Sequence, residues 1–209
     1  METTSFADAK AVALKVLHAP ELSGKAFLEG GIAPWIVSGN DSGRCHDDVD
    51  FSAHAHDMPA VRAWLKEQGL YDAALDSLEL DCNSEKTDFG VHAIIDGVMV
   101  SFAPFRIEGG KLAQRNAVHA SFAGYDALFL ATIEGLDEAD FVEMRELPDH
   151  SIVGMSTIEA VRASKVATER EKDRADIAEI DRIGYDADRY ERVAAAFATM
   201  EVTCPAHGE

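Results

Sequence analysis

Apolar and polar positions alternate with two different periods along this chain. Residues 6–17 repeat apolar side chains at helical spacing and predict an amphipathic helix. The apolar run at 34–38 and the run at 48–52 read as two strands. Asp57 is an expected N-cap for a helix that Met58-Pro59 open, that continues through Trp64 and Leu65, and that Gly69 stops. A strand is expected near 76–82, where apolar residues alternate with polar ones. Asp96-Gly97 lies between two β-rich runs and predicts a hairpin over 88–105 on a type I′ turn. A two-residue loop sets Ile95 against Val98, His92 against Ser101 and Val91 against Phe102. Residues 112–122 and 140–146 are further strand candidates, and Pro148 to Gly154 reads as a linker. Ser156-Thr-Ile-Glu159 has the form of a capping box and opens a helix expected to run to about 182, ended by Gly184. Asp186 starts a last helix, and the tail 201–209 is expected to fray. The organisation expected is a core over 1–150 followed by a helical segment over 151–209 packed on it.

Composition narrows the functional classes. The 209 residues, 47% hydrophobic, suffice for one domain with a real core. No apolar run is long enough for a membrane span. The start Met1-Glu-Thr-Thr-Ser lacks the pattern of a signal peptide, and the three cysteines are unclustered, so a reducing cytoplasm is the expected setting. The net charge of −19 repels a nucleic-acid backbone and speaks against extended nucleic-acid binding, while it favours solubility or attraction of a small cationic molecule.

The candidate chemistry centres on Asp48 and Asp50. Side chains two apart on a strand share a face, so the two carboxylates offer oxygen ligands to one place. Mg²⁺ takes one or two protein carboxylates together with waters and substrate phosphates. Ser38-Gly39 upstream offers small residues and free backbone N–H groups to a phosphate. Arg44 and His46, in the loop between, can touch phosphate or partner Asp47. Lys165 and Lys172 share a helix face, either as a solvated face bridged by Glu169 or as phosphate ligands.

Ser-Gly followed by Asp-Asp-Val-Asp-Phe resembles the signature of the nucleotidyltransferase superfamily with the DNA polymerase β fold. His46-Asp-Asp-Val-Asp50, the hairpin from Asp88 to Pro104 and the helix from Glu159 to Asp173 are similar, in that order, to segments of the small aminoglycoside and lincosamide nucleotidyltransferases; abortive-infection toxins share the last. The resemblance implies an α+β fold: a mixed β-sheet with flanking helices and a C-terminal helical pair. It also implies Mg²⁺ held by Asp48 and Asp50, and an NTP, ATP by preference, as substrate. Ser38, Gly39, Arg44, Lys165 and Lys172 are the expected nucleotide contacts, and the acceptor a hydroxyl, for instance on an aminoglycoside. A toxin-type transferase acting on protein or tRNA is the alternative.

Two positions depart from the pattern. Ser101 stands where the resemblance implies a third carboxylate, and a hydroxyl is neither a strong metal ligand nor a base at pH 7. Three readings follow: two carboxylates act with the substrate phosphates, His92 across the hairpin serves as base, or the site only binds nucleotide. The stretch from Gly39 to Asp48 is also short for the helix that the pattern places after its Gly-Ser corner.

Overall fold

The computed structural model describes residues 4–80, 86–122, 125–168, 170–198 and 201–203. Its helices are α1 (Phe6–Leu17), α2 (Ala33–Ser38), α3 (Met58–Glu67), α4 (Glu138–Phe141), α5 (Ile158–Thr168), α6 (Asp173–Ile183) and α7 (Ala187–Ala198). Its strands are β1 (Ala26–Glu29), β2 (Val49–His54), β3 (Asp76–Leu80), β4 (Lys86–Ile95), β5 (Val98–Glu108), β6 (Lys111–Phe122), β7 (Tyr125–Glu134), β8 (Val142–Glu146), β9 (Ile152–Ser156) and β10 (Glu201–Thr203).

The strands form one mixed sheet in the order β10-β7-β6-β5-β2-β1-β9-β8. β2 lies parallel to β5 and antiparallel to β1, and β1 is parallel to β9. β5 changes partner along its length: Val98–Phe102 pair with β4, and Phe105–Glu108 pair with β6. At the change, Gly90 has φ +104°, and a Cβ there would collide with the Phe102 carbonyl oxygen. Only glycine fits so close a backbone approach.

Period-two alternation sends the two faces of the sheet to different tasks. Val49, Phe51 and Ala53 of β2 enter a core with α1 and α3, where Phe51 stacks on Phe102 at 5.3 Å between ring centroids. Burying each such ring contributes about 2–3 kcal/mol. Asp50, Ser52 and His54 point the other way, toward the face where Phe27, Phe105 and Leu112 pack with Phe141, Ala160, Ala163 and Val193 of α4, α5 and α7.

α1 has the expected bounds, with Ser5 Oγ accepting from the Asp8 N–H at its N-cap. The hairpin has the expected register, Ile95 opposite Val98 and His92 opposite Ser101. Asp57 occupies the N-cap position of α3 but makes no side-chain capping bond. The run at 34–38 is helix α2, not a strand. Pro34 sits in its first turn, where a missing N–H costs nothing, and Gly39 ends it at φ +74°. The end of the expected linker, from Ile152 on, is the start of β9, inserted between β1 and β8. The cap of α5 is Thr157, one residue later than expected: its Oγ1 accepts from the Ala160 N–H, and Glu159 reaches across to the Asp186 N–H. The single helix expected to 182 is two, α5 and α6. The 201–203 part of the tail pairs with β7 as β10, while 204–209, and 81–82 of the expected third strand, lie outside the described residues.

Candidate functional site

β1 ends at Glu29, and the chain turns through Gly30 and Gly31 straight into α2. The turn stands against the end of β2, and neither glycine has room for a side chain. A Cβ on Gly30, whose φ is +75°, would lie 2.7 Å from Asp50 Oδ2. A Cβ on Gly31 would lie 2.8 Å from Arg44 Nη2, 3.2 Å from Asp176 Oδ2 and 3.4 Å from Lys165 Nζ. An apolar strand, a Gly-Gly corner, a short helix and then Asp-x-Asp is thus the actual local order. Ser38-Gly39 is the far end of that helix: Ser38 Oγ bonds within its own turn and Gly39 faces Pro148. Neither lines the cavity described next. This also accounts for the short stretch from Gly39 to Asp48, because the helix precedes it.

The corner opens on a cavity of about 380 Å³. Its floor is the sheet, where register sets residues in a row. Glu29 is opposite Asp50, Asp50 opposite Ser101, and Ser101 opposite His92. Ser156 follows Met155, the partner of Leu28, and so flanks Glu29. Glu29, Asp48, Asp50, Gln114 and Ser156 line the cavity with Arg44, His46 and Asp47 from the loop before β2. Lys165, Arg170, Lys172 and Asp173 enclose it from α5 and the turn into α6, and Ile133, Phe141, Ala160, Val161 and Phe197 give it an apolar wall. His92 holds its place in the row but is not part of the lining. Ser101 Oγ donates to Asp50 Oδ1 at 2.7 Å.

The cations are heavily engaged. Lys165, 4% exposed, donates to Asp173 at 2.9 Å and pairs with Asp176 at 2.8 Å. Arg44 forks onto both oxygens of Asp176, which also accepts from Trp35 Nε1. Arg170 pairs with Asp173, and Lys172 with Asp47 at the exposed rim. These bonds hold the Asp173 carboxyl well below its ordinary range despite its burial. Thr168, Lys165 and Arg170 all donate to Asp173, which explains why α5 stops and α6 starts afresh there.

The sheet floor has the opposite electrostatics. Burial, then the charge of Asp50, pushes Glu29 up to about 8, with the Ser52 hydroxyl acting against them. Burial, then the charge of Asp48, pushes Asp50 up to about 6, with the Ser101 hydrogen bond acting against them. Burial, helped by the Arg44 charge, pushes His46 down to about 4, so its ring is neutral at pH 7 and bonds Ser42 Oγ at 3.0 Å. Gln114 Nε2, Ser156 Oγ and Arg44 Nε are buried without a hydrogen-bond partner in the protein. Atoms of this kind are rare in folded chains and call for a ligand or water.

Among the described residues, no group of three or more His, Cys, Asp or Glu side chains converges as a closed metal shell. Asp48 and Asp50 still suit Mg²⁺, which prefers a partial carboxylate set completed by phosphate and water over a full protein cage. The Gly30–Gly31 corner stands against Asp50 and lines the same cavity.

Sequence reasoning missed Glu29, Gly30, Gly31, Gln114 and Ser156. Gly30-Gly31 had a signal, an apolar run ending in paired glycines just ahead of a proline. Glu29, Gln114 and Ser156 had none, because their importance arises from strand register.

No protein-family model matches the sequence, and no curated protein matches it. Among solved structures the chain is similar to the lincosamide antibiotic adenylyltransferase LnuA, in its lincomycin-bound crystal structure. Identity is 14%, coverage 88% of this chain and 100% of that one, and the TM-score 0.50. The antibiotic-resistance factor ANT(2'')-Ia aligns in its solution structure at 15% identity, 91% and 86% coverage and TM-score 0.49. In its crystal structure with adenylyl-2''-tobramycin the values are 16%, 91% and 92%, and 0.49. The likeness to LnuA, with the mixed sheet and the helices on both of its faces, gives this chain the nucleotidyltransferase fold.

Proposed function

We propose that this protein transfers a nucleoside monophosphate from an NTP, with Mg²⁺, to a hydroxyl of a small acceptor. The observation that carries the reading is the pair Asp48 and Asp50 set beside a Gly-Gly corner at the mouth of a closed-in cavity. Backbone N–H groups of the corner approach the phosphates without side-chain obstruction. Asp48 and Asp50 hold the cation, which when bound neutralises charge on the transferring group. Arg170 and Lys172, at the rim, exchange their carboxylate partners for the triphosphate; the buried Lys165 stays with Asp173 and Asp176 and sets the wall. The acceptor hydroxyl attacks the α-phosphorus and gives its proton to solvent in the cavity, the bond to the bridging oxygen breaks, and pyrophosphate leaves. A cavity of this size takes a drug-sized molecule, and the −19 charge favours a cationic one such as an aminoglycoside.

Ser101 favours a second reading, nucleotide binding without turnover, since its hydroxyl proton is spent on Asp50. Calorimetry with ATP, GTP, CTP and UTP, with and without Mg²⁺, followed by transfer of labelled nucleotide to lincomycin and tobramycin, separates the two. Mg²⁺-dependent transfer that falls about a thousandfold in Asp48→Ala and Asp50→Ala is the expected result, a loss of several kcal/mol of charge stabilisation. Binding without transfer selects the second reading, and equal transfer by parent and variants removes the first.

A further inference from the structure

Once the ion pairs around the cavity are assigned, three carboxylates are left over. Arg44, Lys165, Arg170 and Lys172 are committed to Asp176, Asp173 and Asp47. Among the described residues, Glu29, Asp48 and Asp50 make no ion pair. They are also neighbours. Glu29 and Asp50 are directly opposed on antiparallel strands, on one face of the sheet. Asp48 precedes Asp50 by two residues and bears on it electrostatically. Like charges directly opposed across a strand pair destabilise it, and Glu29 and Asp50, both partly buried while Asp48 is exposed, carry the cost of an unpartnered charge away from water. A second observation points into the same place: Ser156 Oγ, in a residue 2% exposed, lines the cavity beside Glu29 and has no hydrogen-bond partner.

We infer that Glu29 is the third carboxylate of a divalent-cation site shared with Asp48 and Asp50, supplied from β1 on the flank of Asp50 opposite Ser101. The inference rests on the proposed nucleotidyl transfer and names a ligand that reading does not require. A hard divalent ion takes carboxylate oxygens, and its charge converts the repulsion within this trio into attraction. Without the ion the three donors stand in a row rather than a shell. The long glutamate side chain is the member able to swing toward the aspartates. Ser156 then serves as a hydroxyl partner for a ligand of that ion, water or phosphate oxygen.

The test is Mn²⁺ binding to the full chain, read by electron paramagnetic resonance with and without a non-hydrolysable ATP analogue. The proteins are the parent, Glu29→Gln, Glu29→Asp, Asp50→Asn and the double variant Glu29→Gln/Ser101→Asp. Glu29→Gln should weaken Mn²⁺ by about tenfold or more, since even partners outside the ligand shell are worth that much, while its melting temperature holds or rises. Restoring a carboxylate on the other flank of Asp50, in the double variant, should recover part of the affinity. Parent-like Mn²⁺ affinity in Glu29→Gln, with the loss confined to Asp50→Asn, overturns the role of Glu29 and leaves the transferase reading standing. A parent that binds no Mn²⁺ with or without nucleotide overturns both. If Glu29→Gln does not fold, Glu29→Asp decides: unchanged affinity refutes the inference, and a weakened Mn²⁺ signal upholds it.

Discussion

The two sides of the cavity handle charge in opposite ways. On the helical side, the buried Lys165, Asp173 and Asp176 are joined from nearer the surface by Arg44 and Arg170, and every charge faces its opposite. On the sheet side, Glu29, Asp48 and Asp50 face one another. The buried part of that network, Lys165 with Asp173 and Asp176, is balanced and acts as scaffold. An unbalanced cluster carries a repulsion that the proposed cation would relieve, so the sheet side rather than the helical side is where the proposed chemistry sits.

The sharpest way to break this contrast is Asp176→Ala. It strands Arg44 and Trp35 and halves the compensation of Lys165, and urea denaturation should show a loss of about 3–5 kcal/mol, the range for a broken buried pair. Neutralising the sheet side with Asp50→Asn should leave stability unchanged or raised in the same assay. Protonation comes next. The ring of His46 is held neutral in the fold down to about pH 4, against Arg44 and Lys165 on one side and Asp47 and Asp176 on the other. The unfolded chain takes up that proton near 6.5. Between these values the unfolded state binds more protons, so stability falls as pH drops from about 6.5 toward 4. The loss reaches up to about 3 kcal/mol and is absent above 6.5. Glu29 and Asp50, both raised in the fold, act in the opposite direction over the same range, so the histidine's share is read as the difference between the parent and His46→Asn in denaturation at pH 7.5 and pH 5, the parent losing more on acidification. The smallest effects come from the adjacent glycines, one facing each side. Gly31→Ala pushes on Arg44, Asp176 and Lys165 and should cost about 1 kcal/mol, because two of those neighbours are the ends of flexible side chains. Gly30→Ala pushes on Asp50 and should show its main effect in Mn²⁺ and nucleotide affinity.

What the sequence made legible follows from how local each signal is. The hairpin could be read to the residue because Asp96-Gly97 fixes its own register. The run at 34–38 could not be typed by its apolarity, since a short apolar stretch suits a buried strand or a buried helix. Pro34 and Gly39 held the answer as start and stop signals. Placing the phosphate corner at Ser38-Gly39 rested on that strand reading; those residues end α2 outside the cavity lining, and the corner that opens on the cavity is Gly30-Gly31. The break between α5 and α6 has neither glycine nor proline to announce it; Asp173 makes it by collecting three side-chain bonds. Asp48 and Asp50 were visible as a local pair, whereas Glu29 gains its meaning only when β1 lies beside β2.

The position of β1, between β2 on one side and β9 on the other, fixes when the site comes into being during synthesis. A growing chain has made Glu29, Asp48 and Asp50 long before Met155 exists to pair beside Leu28, or Asp173 and Asp176 to anchor Lys165. Until then the corner has no far wall, and its acidic residues stand open to solvent. Contacts of such long sequence separation form late and slowly. The cavity is therefore among the last features of the molecule to be assembled, and a ribosome-bound fragment ending before β9 carries the Asp48 and Asp50 pair without the enclosed cavity.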